Sequence, residues 1–408
     1  MDWFDYFKAK TWALLHDPPN KMWVILGGGR CFEKAYLNGK AHVEEAASLW
    51  YNVGLTDPFG DLKDWQASIY YQLVDDTDRL AASMDRWLLG KLLGHEQDKN
   101  VFKYYRLHNI FNPKLSRELP TSIDCDAVKK FANTIQNLLD KVKDLGKLGC
   151  DRDCRARVAY HVLYALYEVE WIKHELPPSL ADTRIPTHTV FDHNYATATL
   201  VNMLWPNRNI GGYLVEVDIP GIQRIVNSAR KTGEFWAGSW LVSMLAWLTV
   251  WPLVWEYGPD IVVKPTLRLN PIYHVTLTRR LRQMNDSLGK DLLREFWHFY
   301  SNVVFKVSAP INEASLLSSP IIPGTIILLL PTEAASNEND LRNAILKYFD
   351  NAQKCLVEWA LGESLSEDCG GVREILEVKH GVQHPFLNFA NKIYAQLRDA
   401  KVFDELIQ

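Results

Sequence analysis

Between Glu234 and Glu256 the chain runs for 21 residues without a charged side chain, nearly the length a bilayer span requires. Such a stretch either crosses a membrane or is wrapped on most sides by the rest of the fold. Its tryptophans decide between the two. Trp236, Trp240, Trp247, Trp251 and Trp255 recur at intervals of four and seven, so they share one helical face. A true span gathers tryptophan at its two interfaces rather than along its length. Ser239 and Ser243 lie within a step of that face, and Pro252 is expected to interrupt the end of the helix. The segment reads as a buried core helix, and no membrane association is expected. The start of the chain agrees, because Met1-Asp2-Trp3-Phe4-Asp5 is acidic and aromatic rather than a secretory signal.

With 408 residues the chain suggests two or three domains rather than one. A hydrophobic share of 47% with 23% charge is ordinary for a globular protein. The formal net charge of −4 argues against a basic protein that coats nucleic acid, while leaving room for local basic grooves. Cys31, Cys125, Cys150, Cys154, Cys355 and Cys369 are scattered. They are expected to form no disulfide framework and to fit a reducing cytoplasm. Cys150 and Cys154 lack a second pair nearby, and a closed zinc site wants four ligands, so loop thiols are expected there.

Helical periodicity dominates the first half: residues 3–15, stopped by Pro18-Pro19, then 43–53, 65–93, 127–145, 158–174 and 195–204. The turn-rich stretch from Trp205 to Gly212 marks a boundary. After it, residues 213–219 alternate like a strand, 221–230 read as a helix, and 261–263 and 325–330 are strand candidates. A long amphipathic helix is expected over 339–361. The resulting division is a helical domain over 1–208, a mixed domain over 209–335 and a helical extension over 336–408.

Four pieces of the first half carry metal-binding residue types. His16-Asp17 ends the opening helix, just ahead of Pro18-Pro19-Asn20-Lys21. An imidazole beside a carboxylate offers two ligands to one metal or to adjacent metals, although a lone His-Asp pair also commonly marks a solvated helix end. The second piece, Thr77-Asp78-Arg79-Leu80-Ala81-Ala82-Ser83-Met84-Asp85-Arg86, places carboxylates beside small residues that allow close approach. Surface charge is the competing reading. The third holds His188 and His193 just ahead of an Ala/Thr-rich helix, and the fourth holds His42. A loop or helix-end histidine is the alternative for each. Imidazole with carboxylate suits divalent transition metals, and paired metals suit phosphodiester hydrolysis.

Together these pieces resemble a circularly permuted HD-superfamily hydrolase, in which the His-Asp doublet comes first and the single His last. The LHDPP stretch near the start is similar to the HD domain of type III CRISPR large subunits. Val217-Asp218-Ile219-Pro220-Gly221-Ile222-Gln223-Arg224, with Ala229-Arg230-Lys231 and Trp236-Ala237-Gly238-Ser239, resembles the first palm domain of the same subunits. The likeness runs from about residue 8 to residue 333 and points to type III-B, the Cmr type. It implies an α+β fold: a helical permuted HD domain followed by a ferredoxin-like palm with extra helices.

Carried over residue by residue, His16 and Asp17 match the doublet and would be catalytic as well as metal-binding. Asp78 matches the distant Asp and His193 the returning His. His42 and Asp85 are further candidate ligands, and Asp85-Arg86 matches a recurrent pair. The implied cofactor is a divalent metal (Mn, Ni, Co or Mg), with ATP at a shared palm interface as a further candidate. Asp218, Arg224, Arg230, Lys231 and Ser239 are candidates for nucleotide or partner binding. The implied partners are other Cmr-type subunits, crRNA and target RNA through the complex, single-stranded DNA as substrate, and a separate chain carrying a second palm.

One departure matters. Neither Gly27-Gly28-Gly29-Arg30 nor Gly370-Gly371-Val372 is followed by the aspartates of a GGDD motif, and the family's zinc-binding insertion is absent. The chain is expected to be a split subunit, a fragment or a reduced form, with no cyclic oligoadenylate synthesis of its own. The function expected is a metal-dependent HD nuclease with a silent palm, located in the cytoplasm. The alternatives are a non-catalytic scaffold and an HD phosphohydrolase acting on small nucleotides.

Overall fold

In the computed structural model short polar side chains start most of the helices. Asp2 accepts from the amide of Asp5 to cap α1 (Trp3–Leu15), and Pro18 and Pro19 prevent its continuation. The structure describes residues 1–33, 37, 40–83, 106–109, 111–182, 185–227, 229–307, 313–319, 321–361, 365, 369 and 376. The helices that follow α1 are α2 (Lys21–Ile25), α3 (Ala41–Asn52), the single turns α4 (Thr56–Phe59) and α5 (Leu62–Trp65), and α6 (Ile69–Ala81). Next come α7 (Cys125–Asp144), α8 (Arg152–Lys173) and α9 (Val190–Leu204). Two short antiparallel pairs join them, β1 (Arg106–His108) with β2 (Ser116–Glu118), and β3 (Leu180–Asp182) with β4 (Ile185–Thr189).

The second half holds β5 (Tyr213–Asp218), α10 (Ile222–Asn227), α11 (Thr232–Tyr257), β6 (Val262–Lys264), α12 (Pro271–Met284) and α13 (Asp286–His298). It continues with α14 (Glu313–Leu317), β7 (Thr325–Leu330) and α15 (Glu338–Leu361). The described chain is thus mostly helical with small antiparallel sheets, an α+β protein. By contacts it forms two compact units, Met1–Gly212 with Met284–Ser308, and Tyr213–Gln283 with Ala309–Gln408.

In the first unit α1 is the central element, buried along nearly its whole length against α6, α8 and α9. Even Lys10 is fully buried. Its ammonium donates to Tyr6 Oη at 3.1 Å and Asn202 Oδ1 at 3.2 Å, so the buried charge keeps partners. Returning late in the sequence, α13 packs on α7 and α8, where Lys141 pairs with Asp291 and Lys173 with Glu295.

In the second unit β7 lies between β5 and β6 and is antiparallel to both, with Tyr213 opposite Leu330 and Asp218 opposite Thr325. So β5 and β6 run parallel on either side of it, and α11 lies in the connection between them, a split β-α-β arrangement. On α11, Trp240, Trp247 and Trp251 are buried, as are Val242, Met244, Leu248, Leu253 and Val254. Trp240 donates to the Leu317 carbonyl at 2.7 Å and Trp247 to Thr276 Oγ1 at 3.0 Å. It is the one helix among the described residues long and apolar enough to span a membrane, and 78% of its apolar window is buried. It is a core helix.

Three expectations fail here. Pro252 does not end α11, which continues to Tyr257. The burial of Trp251, Leu253 and Val254 around it outweighs one lost backbone bond. The helix expected over 221–230 is described as ending at Asn227. Arg230 and Lys231 therefore lie in the connection to α11, whose N-cap is Lys231. Finally, the cysteines pair as Cys31–Cys125, Cys150–Cys154 and Cys355–Cys369. Sequence spacing says nothing of which thiols meet. Folding brings the start of α7 beside the segment after α2, which leaves the Cα atoms of Cys31 and Cys125 4.9 Å apart.

Candidate metal centre

Three helices deliver the site. Its doublet follows the last turn of α1: the His16 amide still donates to the Trp12 carbonyl, and the prolines then turn the chain into α2. Asp78 comes from the last turn of α6. His193 lies in the first turn of α9, which Thr189 and Asp192 start with a reciprocal capping box. These helices pack on one another, so side chains from residue 16 to residue 193 meet. Asn194, next to His193, donates to the Asp17 carbonyl at 2.7 Å and ties α9 to the doublet.

His16, Asp17, Asp78 and His193 lie close together in the fold. His193 Nε2 is 3.0 Å from Asp78 Oδ1 and 3.6 Å from Asp17 Oδ2. His16 Nε2 is 3.7 Å from Asp78 Oδ1 and 3.8 Å from Asp17 Oδ2. Ligand atoms of His16, Asp17 and His193 all lie within 4.8 Å of one another, and all three residues are buried. The Nδ1 of His16 is 2.7 Å from the Ala13 carbonyl. Only an N–H can donate there, so in the neutral ring Nε2 carries the lone pair that faces the carboxylates. That buried Nε2 has no hydrogen-bond partner. An orphaned imidazole nitrogen facing two carboxylates and a second imidazole fits a divalent metal.

The charges are strongly coupled. Burial alone would raise the Asp17 carboxyl, but Lys21, His16, His193 and His42 together hold it well below the usual carboxylate range. Asp78 is likewise raised by burial and lowered further by its contacts with His16 and His193, the net result being far below the usual value. Burial opposes protonation of His16, yet Asp17 and Asp78 outweigh it and raise the ring. On α3, His42 Nε2 is 3.7 Å from Asp17 Oδ1, the oxygen turned away from the other two histidines. Burial, with Lys21 and His16 nearby, brings His42 down to about 4 despite Asp17, so it is neutral at pH 7, the form that binds metal.

Sequence reasoning missed the support around these ligands. Lys21, one turn beyond Asp17, pairs with Asp17 Oδ2. The Asn20 amide donates to the Gly29 carbonyl at 2.7 Å and to Glu45 Oε1 at 2.9 Å. Glu45 in turn accepts from the Cys31 amide, which fixes the loop behind the doublet. The signal available was the polar Asn20-Lys21 directly after the prolines. His188 lies in β4, five residues before His193. Asp85 lies outside the described residues, as does the Arg224 side chain. In the second unit Asp218 is exposed and accepts from Thr325 Oγ1 at 2.6 Å. The Arg230 amide donates to Glu234, and Ser239 Oγ donates to the Phe235 carbonyl at 3.1 Å.

Residues 214–358 match the family model "CRISPR-associated protein Cmr2, N-terminal". The CRISPR system CMR subunit Cmr2 of Saccharolobus solfataricus is 30% identical over 332 residues, which is 80% of this chain and 30% of that protein. This chain resembles the N-terminal part of Cmr2. A second Cmr2, from Pyrococcus furiosus, is 31% identical over 106 residues, 26% of this chain and 11% of its own length. The fold agrees: a chain of the type III-B Cmr-beta complex in its apo state superposes on all of this chain with a TM-score of 0.64 and 25% identity, over 40% of that chain. The same complex bound to cognate target RNA gives 0.61 and 28% identity, over 86% of this chain and 32% of its own. The chain spans less than a third of the length of the Cmr2 relatives it matches.

Proposed function

We propose that this chain is the front part of a type III-B effector large subunit, in which the first unit is an HD-type, metal-dependent nuclease for single-stranded DNA. The observation that carries the reading is the convergence of His16, Asp17, Asp78 and His193 around the unpartnered His16 Nε2. These four would hold a divalent cation (Mn, Ni, Co or Mg), and Asp17 Oδ1 with neutral His42 would extend the site towards a second. The bound metal supplies Lewis-acid polarisation of a phosphoryl oxygen and a water deprotonated near neutral pH. The chain's own residues do the rest. Ala13 fixes the His16 tautomer, Asn194 holds the Asp17 backbone, and Lys21 keeps a cation beside the carboxylate where phosphate charge would arrive.

The split β-α-β of the second unit supports a ferredoxin-like palm. Asp218, at the end of β5, is hydrogen-bonded to Thr325 and belongs to no metal-ligand cluster among the described residues, and a carboxylate without further ligands holds Mg²⁺ poorly. This palm is catalytically silent and docks a second palm or binds nucleotide with it. Other Cmr-type subunits, crRNA and target RNA are the partners of the assembled form.

One observation favours a scaffold instead. The Lys21 ammonium already neutralises the Asp17 oxygen that faces both histidines, as it would in a vestigial site. Metal content separates the two readings. The purified chain, dialysed against Mn²⁺, should retain metal, and the His16→Ala, Asp17→Ala double variant should not. Equal, negligible content in both selects the scaffold.

A further inference from the structure

The β1–β2 hairpin leaves the first unit with its tip bare. Phe111 is 91% exposed and Leu115 59% exposed. Between Arg106 and Glu118 the chain carries Arg106, Lys114 and Arg117 against the single carboxylate of Glu118, a net +2 on a chain of net −4. Arg106 is 3.7 Å from that carboxylate, which leaves Lys114 and Arg117 as the cations beside the tip.

Hydrogen bonds tie the described residues of the turn together. Asn109 Oδ1 accepts from the amides of Phe111 at 2.9 Å and Asn112 at 3.0 Å. The Asn109 amide donates to the Leu115 carbonyl, the Leu115 amide to the Asn112 carbonyl, and His108 Nδ1 to the Pro113 carbonyl. An aromatic ring presented on a turn locked in this way loses little freedom on binding.

The hairpin's base touches two elements that lead into the candidate metal centre. Strand β1 packs against β4, whose last residue, Thr189, caps the helix that carries His193. Just after β2, Leu119 is buried and the Pro120 carbonyl accepts from Trp23 Nε1 at 2.9 Å. Trp23 belongs to α2, the helix that begins at Lys21 beside Asp17. Cys125, at the start of α7, is bonded to Cys31 and closes the base.

We infer that this hairpin is a contact finger for a single-stranded polynucleotide, with Phe111 stacking on an unpaired base while Lys114 and Arg117 hold the flanking phosphates. An exposed ring with cations on the same hairpin is the combination that binds single strands without sequence preference, because every base offers a π-face. The inference deepens the nuclease reading and rests on it for the fate of the bound strand. The finger would present that strand at the rim of the centre.

The test is fluorescence anisotropy of labelled oligothymidylate and oligouridylate with the full chain, in EDTA so that no metal contributes. Phe111→Ala should weaken binding by about 5-fold or more, whereas Phe111→Tyr keeps the ring and should bind like the wild type. Lys114→Gln with Arg117→Gln should reduce the slope of log affinity against log salt by about 1.4, roughly 0.7 for each lost phosphate contact. Preference for one oligomer over the other identifies the strand as DNA or RNA. Wild-type affinities in Phe111→Ala and the double variant, or no binding by the wild type, would overturn the inference. Hydrolysis of bis(p-nitrophenyl) phosphate by the wild type with Mn²⁺ is measured alongside as the separate test of the metal site. Its absence in the wild type refutes the metal-site reading while leaving the finger's binding result to stand.

Discussion

Glu170 on α8 gives the stability of the first unit a pH dependence opposite to that of most carboxylates. Its side chain is buried, Oε1 accepts from Lys173 at 2.8 Å, and Oε2 has no hydrogen-bond partner. Burial raises its pKa from 4.5 to about 7, against the opposing pull of Lys173 and with some help from Glu295. In the folded protein Glu170 therefore keeps its proton through an interval in which the unfolded chain has lost it. The contribution to stability is complete below about pH 4.5 and is lost as pH rises through about 7. At about 1.4 kcal/mol per pH unit, the interval corresponds to about 3 kcal/mol. Glu170→Gln has no proton to lose. Urea unfolding of the variant and the wild type at about pH 4 and about pH 8 should show the variant gaining on the wild type by roughly 2–3 kcal/mol at the higher pH. A variant-minus-wild-type difference that does not change with pH would refute the reasoning.

Two further perturbations probe the loop behind the doublet and the palm. A Cβ at Gly29 would collide with Trp23 Cβ and meet the Trp23 carbonyl carbon at 2.7 Å, and backbone cannot move aside cheaply. Gly29→Ala should cost about 1–3 kcal/mol and lower Tm by several degrees, and an unchanged melting curve would contradict the close packing. Given ATP with Mg²⁺ or Mn²⁺, the chain should make no oligoadenylate, and product that disappears in Asp218→Ala would contradict the silent palm.

What was legible in the sequence was local or long-periodic. The bounds of α1 follow from Asp2 and the double proline, β7 from the five apolar residues after Thr325 bounded by turn signals, and α11 from the absence of charge. The meeting of His16, Asp17, Asp78 and His193 was legible only as a combination, since each residue alone has an ordinary surface or helix-end reading. Contacts made across the fold were invisible. Pairing of Cys31 with Cys125 depends on how α7 docks, and the Lys21–Asp17 ion pair depends on the turn after Pro19. The β1–β2 hairpin escaped because its strands are three residues each, too short for alternation to register. Pro252 misled because a helix buried on nearly all sides tolerates a break that an exposed helix would not.

The central claim is that the four converging side chains make a working metal site for cleaving single strands. The direct measurement is cleavage of end-labelled single-stranded DNA by the purified chain with Mn²⁺, Ni²⁺, Co²⁺ or Mg²⁺, beside the same DNA as a duplex. The account predicts metal-dependent cleavage of the single strand that is lost in His16→Ala, Asp78→Ala and His193→Ala alike. Cleavage that survives all three substitutions, or none by a wild-type chain shown to have bound the metal, would contradict it.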